Sequence, residues 1–119
     1  MPDHVYWKDK EGVFLGSNLL QAKDAGFNSP DEIVGKTDRE MPWGIQAEYL
    51  RHIDQTVMRT EEPLVLEELF ELPDGTKKTY LSHKMPLYDE NNQLSGILGI
   101  SVDITERKKM EEELKAAEI

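Results

Sequence analysis

The last two dozen residues constrain this chain more than any others. A β-prone run, Gly96-Ile97-Leu98-Gly99-Ile100-Ser101-Val102, passes through Asp103-Ile104-Thr105 directly into residues 106–119, a stretch of helix formers with no Gly or Pro. A strand needs hydrogen-bonded neighbours, and here it is covalently continuous with a helix. The chain must therefore hold a sheet whose last strand feeds a helix leaving that sheet. Asp103 or Thr105 can cap the first turn. Met110, Leu114 and Ala117 recur at intervals of four and three, the spacing of a coiled-coil seam, and the sequence reaches Ile119 without a C-cap signal. The expectation is an excised module, residues 1–105, followed from residue 106 by the start of a signalling helix that continues into a partner domain.

A chain of 119 residues fits one domain with a modest core. It contains no run of about 18 apolar residues to span a bilayer, and neither end resembles a signal peptide. With 24 acidic against 14 basic side chains the formal net charge is -10. That field repels nucleic-acid backbones, so DNA or RNA binding is not expected. The absence of cysteine removes disulfides, thiolate nucleophiles and any cysteinyl chromophore adduct. The reading is of a cytoplasmic fragment with no membrane contact of its own, whatever anchors its parent.

Along the chain, Val5-Tyr6-Trp7 and Val13-Phe14-Leu15 flank the turn-rich Asp9-Lys10-Glu11-Gly12, which predicts a hairpin. Asn18 is a plausible N-cap for a short helix ended by Gly26, and Ser29-Pro30-Asp31-Glu32 starts a second, very short one. Residues 36–43 read as a loop with one helical turn. From Ile45 to Thr60 the apolar positions Ile45, Tyr49, Leu50, Ile53 and Val57 predict the longest internal amphipathic helix, ended by Pro63. Runs 64–72, 77–87 and 94–104 are strand-like, separated by Pro73-Asp74-Gly75-Thr76 and Asp89-Glu90-Asn91-Asn92-Gln93. The fold class is α+β, an antiparallel sheet with helices on one face enclosing a pocket.

The ordered set Trp7-Lys8-Asp9-Lys10-Glu11-Gly12, Gly16-Ser17-Asn18, Ile33-Val34-Gly35-Lys36-Thr37-Asp38, Leu72-Pro73-Asp74-Gly75, Pro86-Leu87-Tyr88-Asp89 and Gly96 through Thr105 resembles a PAS sensory domain over nearly the whole chain. Residues 35–43 resemble the PAS domains of bacterial hybrid sensor kinases. The resemblance implies a five-stranded sheet in spatial order 2-1-5-4-3, with the helix from Ile45 across its concave face and the last strand central.

Alternation in the last strand puts Gly99 and Ser101 on one face and Leu98, Ile100 and Val102 on the other. The resemblance places Ser101 where flavin-binding members make a polar cofactor contact, which turns its face toward the pocket. The Leu98, Ile100 and Val102 face then needs cover from a homodimer partner or a flanking helix. The same resemblance points Leu66, Glu68, Phe70 and Leu72 inward, with Tyr80, Ser82 and Lys84. Glu68 and Lys84 are the odd members. Either they neutralise each other and a ligand, or the register is offset by one residue and both face water, the default for such a pair. Trp43 and Tyr49, with Trp7 and Phe14, read as pocket-lining rings or plain core, core being the default. By the same resemblance, haem-binding members carry a proximal histidine on the helix that holds His52, but His52 lies at the edge of the apolar stripe, so haem is a minor alternative. His4 and His83 complete no metal set with it and are read as solvated or half-buried.

No catalytic constellation is present: no phosphate-cradling loop and no nucleophile beside a base. The fragment is not expected to be an enzyme. By resemblance its parent is a two-component sensor histidine kinase, a transferase, with the effector in the same chain. The implied mechanism is a population shift: a pocket ligand or altered dimer packing moves the strand 94–104 and, through Asp103, Ile104 and Thr105, the exit helix. The expected occupant is none or a small organic ligand, with haem or non-covalent flavin as lesser alternatives. The rival reading is a ligand-free dimerisation and spacer module.

Overall fold

The computed structural model describes residues 3–117. The N-terminal hairpin forms from β1 (His4–Asp9) and β2 (Phe14–Ser17). Asp9 builds its turn, its carboxylate accepting the amides of Glu11 and Val13. Gly12 takes a φ of 86°, a left-handed conformation that costs little without a β-carbon. Asn18 caps α1 (Leu19–Asp24) by accepting the Gln21 amide at 3.0 Å. Residues 30–33 and 38–40 are single 3₁₀ turns, the second carrying a reciprocal Thr37–Glu40 capping box.

A third 3₁₀ turn, Gly44–Gln46, precedes α2 (Ala47–Thr60), which ends at Glu61 in the left-handed region. The expected apolar stripe is corrected here. Ile45 is 91% exposed and Tyr49 46% exposed, whereas Ala47, Leu50, Asp54 and Val57 are buried. A 3₁₀ turn advances at about 3.0 residues per turn instead of 3.6, so helical phase cannot be carried back through Ile45. Within α2, at about 100° per residue, Tyr49 lies roughly 120° from the centre of the buried face and His52 roughly opposite it.

The C-terminal strands are β3 (Leu64–Glu71), β4 (Lys77–Tyr88) and β5 (Leu94–Asp103). Both connectors close on an aspartate: Asp74 accepts the Thr76 amide, and Asp89 accepts those of Asn91 and Gln93. The sheet is antiparallel in order β2-β1-β5-β4-β3, as the resemblance implied. β5 therefore lies centrally, between β1 and β4. The helices close over one face on a core of Tyr6, Phe14, Ile33, Met41, Val57 and Ile97.

The last element, α3 (Thr105–Ala117), buries none of its side chains. Lys108 reaches back to Glu67 on β3 at 3.3 Å, while Met110 and Leu114 are 66% and 64% exposed and Ala117 is exposed. The expected run of this helix to Ile119 passes outside the described residues. Among those described, no helix is long and apolar enough to cross a membrane.

Candidate functional site

Strand alternation sends His4, Tyr6 and Lys8 of β1, Glu68 and Phe70 of β3, Tyr80, Ser82 and Lys84 of β4, and Ser101 of β5 to the helix-covered face. Between them and α2 lies a cavity of about 230 Å³. Its inner end is charged. Lys8 Nζ stands 2.6 Å from Asp54 Oδ2 and 2.7 Å from Asp38 Oδ2. Lys84 Nζ stands 3.4 Å from Glu68 Oε2 and 3.7 Å from Asp54 Oδ1.

Lys8, Lys84 and Asp54 are each 1% exposed and Glu68 4%. Such burial is tolerable only because the charges are paired. For Lys8, burial disfavours the ammonium, but the Asp38 and Asp54 carboxylates outweigh it and hold the pKa above its ordinary 10.5. For Lys84, burial again opposes the charge, and the surrounding acidic groups, Tyr6, Asp54 and Glu68, raise its pKa on balance. Neutral hydrogen bonds brace the carboxylates. The Trp43 indole donates to Asp38 Oδ1 at 2.9 Å, and the Ser82 hydroxyl donates to Glu68 Oε1 at 2.6 Å. Ser82 Oγ also lies 2.9 Å from Ser101 Oγ, which ties the cluster to the central strand.

The solvated default for Glu68 and Lys84 is thus overturned. The β3–β4 register, with Leu64 opposite Lys84 and Glu68 opposite Tyr80, puts both inside.

A second polar group lines the cavity. His4 Nε2 lies 2.6 Å from Asp24 Oδ2, and the Tyr80 hydroxyl donates to the same oxygen at 3.0 Å. The His4 contact holds the Asp24 carboxyl below its ordinary 3.8 against the opposing effect of burial. Burial and the Asp24 charge push the Tyr80 phenol up. His4 is buried, not solvated or half-buried as its spacing suggested, with its ring edge-on to Tyr80 at 5.3 Å.

At the sheet exit, Asp103 Oδ1 accepts both the Thr105 amide and the Thr105 hydroxyl. Thr105 Oγ1 in turn accepts the Thr79 amide of β4 at 2.9 Å, and the Ile104 amide donates to the Thr79 carbonyl at 2.8 Å. Asp103 thus serves the helix start as expected, whereas Thr105 staples it to β4. Ile104 is buried at the joint.

Of the pocket candidates, Trp43, Phe70, Tyr80, Lys84 and Ser101 line the cavity. Ser82 is buried behind Glu68, and Gly99 lies under the Tyr6 ring, into which an added Cβ would run. Tyr49 is turned toward solvent and adds nothing to the wall. His52, the haem candidate, is exposed on the far face of α2. Leu98, Ile100 and Val102 are half-buried on the opposite face of the sheet. Sequence reasoning missed Lys8, Asp38 and Asp54. The available signal was Asp54's place in the stripe Ala47, Leu50, Val57, and Lys8's phase with His4 and Tyr6.

The family described as the PAS fold matches residues 1–109. The chain is 28% identical over 116 residues to the aerobic respiration control sensor protein ArcB of Escherichia coli, a match covering 98% of this chain and 15% of ArcB. It is 29% identical to a diguanylate cyclase of Vibrio cholerae over 93% of this chain and 35% of that protein. The chain thus spans well under half of either relative. Among solved structures, the PAS domain of Bordetella pertussis BvgS superposes with a TM-score of 0.75 at 27% identity, over 99% of this chain and 88% of that one. Vibrio cholerae VqmA shares the fold, with a TM-score of 0.82 at 24% identity over 89% of this chain and 48% of that one.

Proposed function

The chain belongs to the PAS fold family, and from this premise we propose that it is the sensory module of a larger signalling protein, in the first instance a sensor histidine kinase. The observation carrying this reading is a hydrogen-bonded path from the cavity to the exit helix. Glu68 on the cavity wall is bonded to Ser82, Ser82 contacts Ser101 on β5, and Asp103 lies two residues further along that strand. A molecule that moves Glu68 perturbs the strand on which α3 is mounted. Coupling over so short a path needs only that the two junction arrangements differ in their contacts with the cavity wall.

Residues 1–105 form the sensing unit in this proposal, and residues from 106 onward form the transmitting helix. Leu98, Ile100 and Val102 on the outer face, with Met110, Leu114 and Ala117 along α3, form the surface of a homodimer. Similarity to a probable histidine kinase of Oryza sativa, 24% identical over 71% of this chain, supports a kinase as the effector, and similarity to a diguanylate cyclase keeps a second effector class in view. A cytoplasmic position and a two-component role follow from the kinase reading.

Native mass spectrometry of the chain purified from its host tests the proposal. A dimer carrying a small molecule, with amide exchange at Ile104–Lys108 altered when that molecule is stripped, is expected. An empty dimer with the same exchange after the stripping step would favour a scaffold.

A further inference from the structure

Glu68 is 4% exposed and lines the cavity, yet its Oε2 has no hydrogen-bond partner among the described residues. The same holds for Asp54 Oδ1, buried just behind the wall. Both face Lys84 Nζ, but at 3.4 and 3.7 Å, longer than an ordinary N–H···O bond. Native interiors seldom leave such groups unmet, and each demands an explanation. The other carboxylate oxygen of Glu68 is already held by Ser82, which anchors the carboxylate with Oε2 turned toward Lys84.

Three features limit what completes this arrangement. The inner cluster sets two ammonium groups against three carboxylates, so an anionic ligand would meet an excess of negative charge and the unpartnered oxygens. A cationic ligand reaching Glu68 Oε2 would be held against Lys84 Nζ, within 3.4 Å of that oxygen. The cavity, about 230 Å³, is below the roughly 300–1,000 Å³ of sites for drug-sized molecules. Elsewhere its wall includes the rings of Phe70, Tyr80 and Trp43, which suit an apolar body.

Resting on the sensory reading above, we infer that the ligand is a small neutral molecule with a hydrogen-bond donor and acceptor side by side on one edge, as in a lactam. Its N–H donates to Glu68 Oε2, its carbonyl accepts from Lys84 Nζ, and its apolar remainder faces the rings. Haem and flavin exceed the cavity as it stands.

The test titrates the isotope-labelled chain with four probes of similar size, followed by amide shifts: δ-valerolactam, cyclohexanone, cyclohexanecarboxylate and cyclohexylamine. The lactam is expected to bind at least about tenfold tighter than the ketone, which leaves Glu68 unmet, with neither charged probe exceeding the ketone. In E68L/K84M, which removes one charge of each sign and so leaves the cluster's balance unchanged, the lactam's advantage is expected to vanish. Tighter binding of the carboxylate or the amine, or an undiminished lactam preference in the double variant, would overturn the assignment while leaving a sensory pocket. Failure of all four probes to shift cavity amides would overturn the assignment and count against the sensory reading as well.

Discussion

Lys84 and Glu68, two strands' side chains of opposite charge, meet on the sheet's concave face with Nζ 3.4 Å from Oε2, both buried, and with Asp54 of α2 3.7 Å from the same Nζ. The contact is close enough to neutralise and too long to be a good hydrogen bond. That combination makes the pair both a structural necessity and a receptive site.

Lys84→Met should therefore destabilise the chain by about 3–5 kcal/mol, because Glu68 loses its compensating charge in a buried setting and Asp54 is left with Lys8 alone. Urea unfolding measures this. Adding Glu68→Leu to the same chain should recover part of the loss, since an apolar pair of similar volume replaces a broken ion pair. A double variant less stable than Lys84→Met would contradict the pairing.

The pH dependence follows from the signs of the shifts. The folded state holds Asp24 below its ordinary 3.8, mainly through the His4 contact, so its contribution is present above that value and lost as pH falls through the lower folded one. Lys8 is held above 10.5, so its contribution is complete below that value and lost only as pH rises beyond it. The urea midpoint should fall in acid below about pH 4, and Asp24→Asn should flatten that limb; because the Asp24 charge also helps hold the Tyr80 phenol up, the same variant should soften the alkaline limb as well.

The elements were legible because turn chemistry punctuates them: Asp9, Asp74 and Asp89 each accept amides in the turn that begins there, and Asn18 caps where it was expected. The inward set on β3 and β4 came from the family resemblance, since alternation alone left the register open by one residue. The charged floor was not legible, because Lys8 and Asp54 taken singly are ordinary surface residues. Only the fold brings Lys8, on β1, within 2.6 Å of a carboxylate from α2. Ile45 misled because the 3₁₀ turn resets the phase ahead of Ala47, and Tyr49, inside α2, because the buried face centres on Ala47, Leu50, Asp54 and Val57 and the polar Asp54 was not counted in it.

At the junction, Asp103→Ala should cost about 0.5–2 kcal/mol, the usual range for losing a helix-start acceptor, and leave the fold in place. Thr105→Val should cost about 1 kcal/mol through the orphaned Thr79 amide. Amide exchange should rise at Thr79 in the second variant and in the first turn of α3 in the first. Switching of the parent's output should fail in Asp103→Ala; normal switching would remove the junction from the mechanism.

His52 faces solvent, away from the cavity, so haem added to the purified chain should give no Soret shift that His52→Ala abolishes. A His52-dependent Soret band would require α2 to turn.

The most direct measurement compares amide exchange at Ile104–Lys108 in the wild-type chain, Glu68→Gln, and Val65→Thr, a control on the outer face of the same strand, all under folding conditions. If the cavity floor reaches the exit helix through Ser82, Ser101 and β5, Glu68→Gln shifts those amides severalfold and Val65→Thr leaves them alone. Wild-type exchange at Ile104–Lys108 in Glu68→Gln, with changes confined to the cavity wall, would contradict the account.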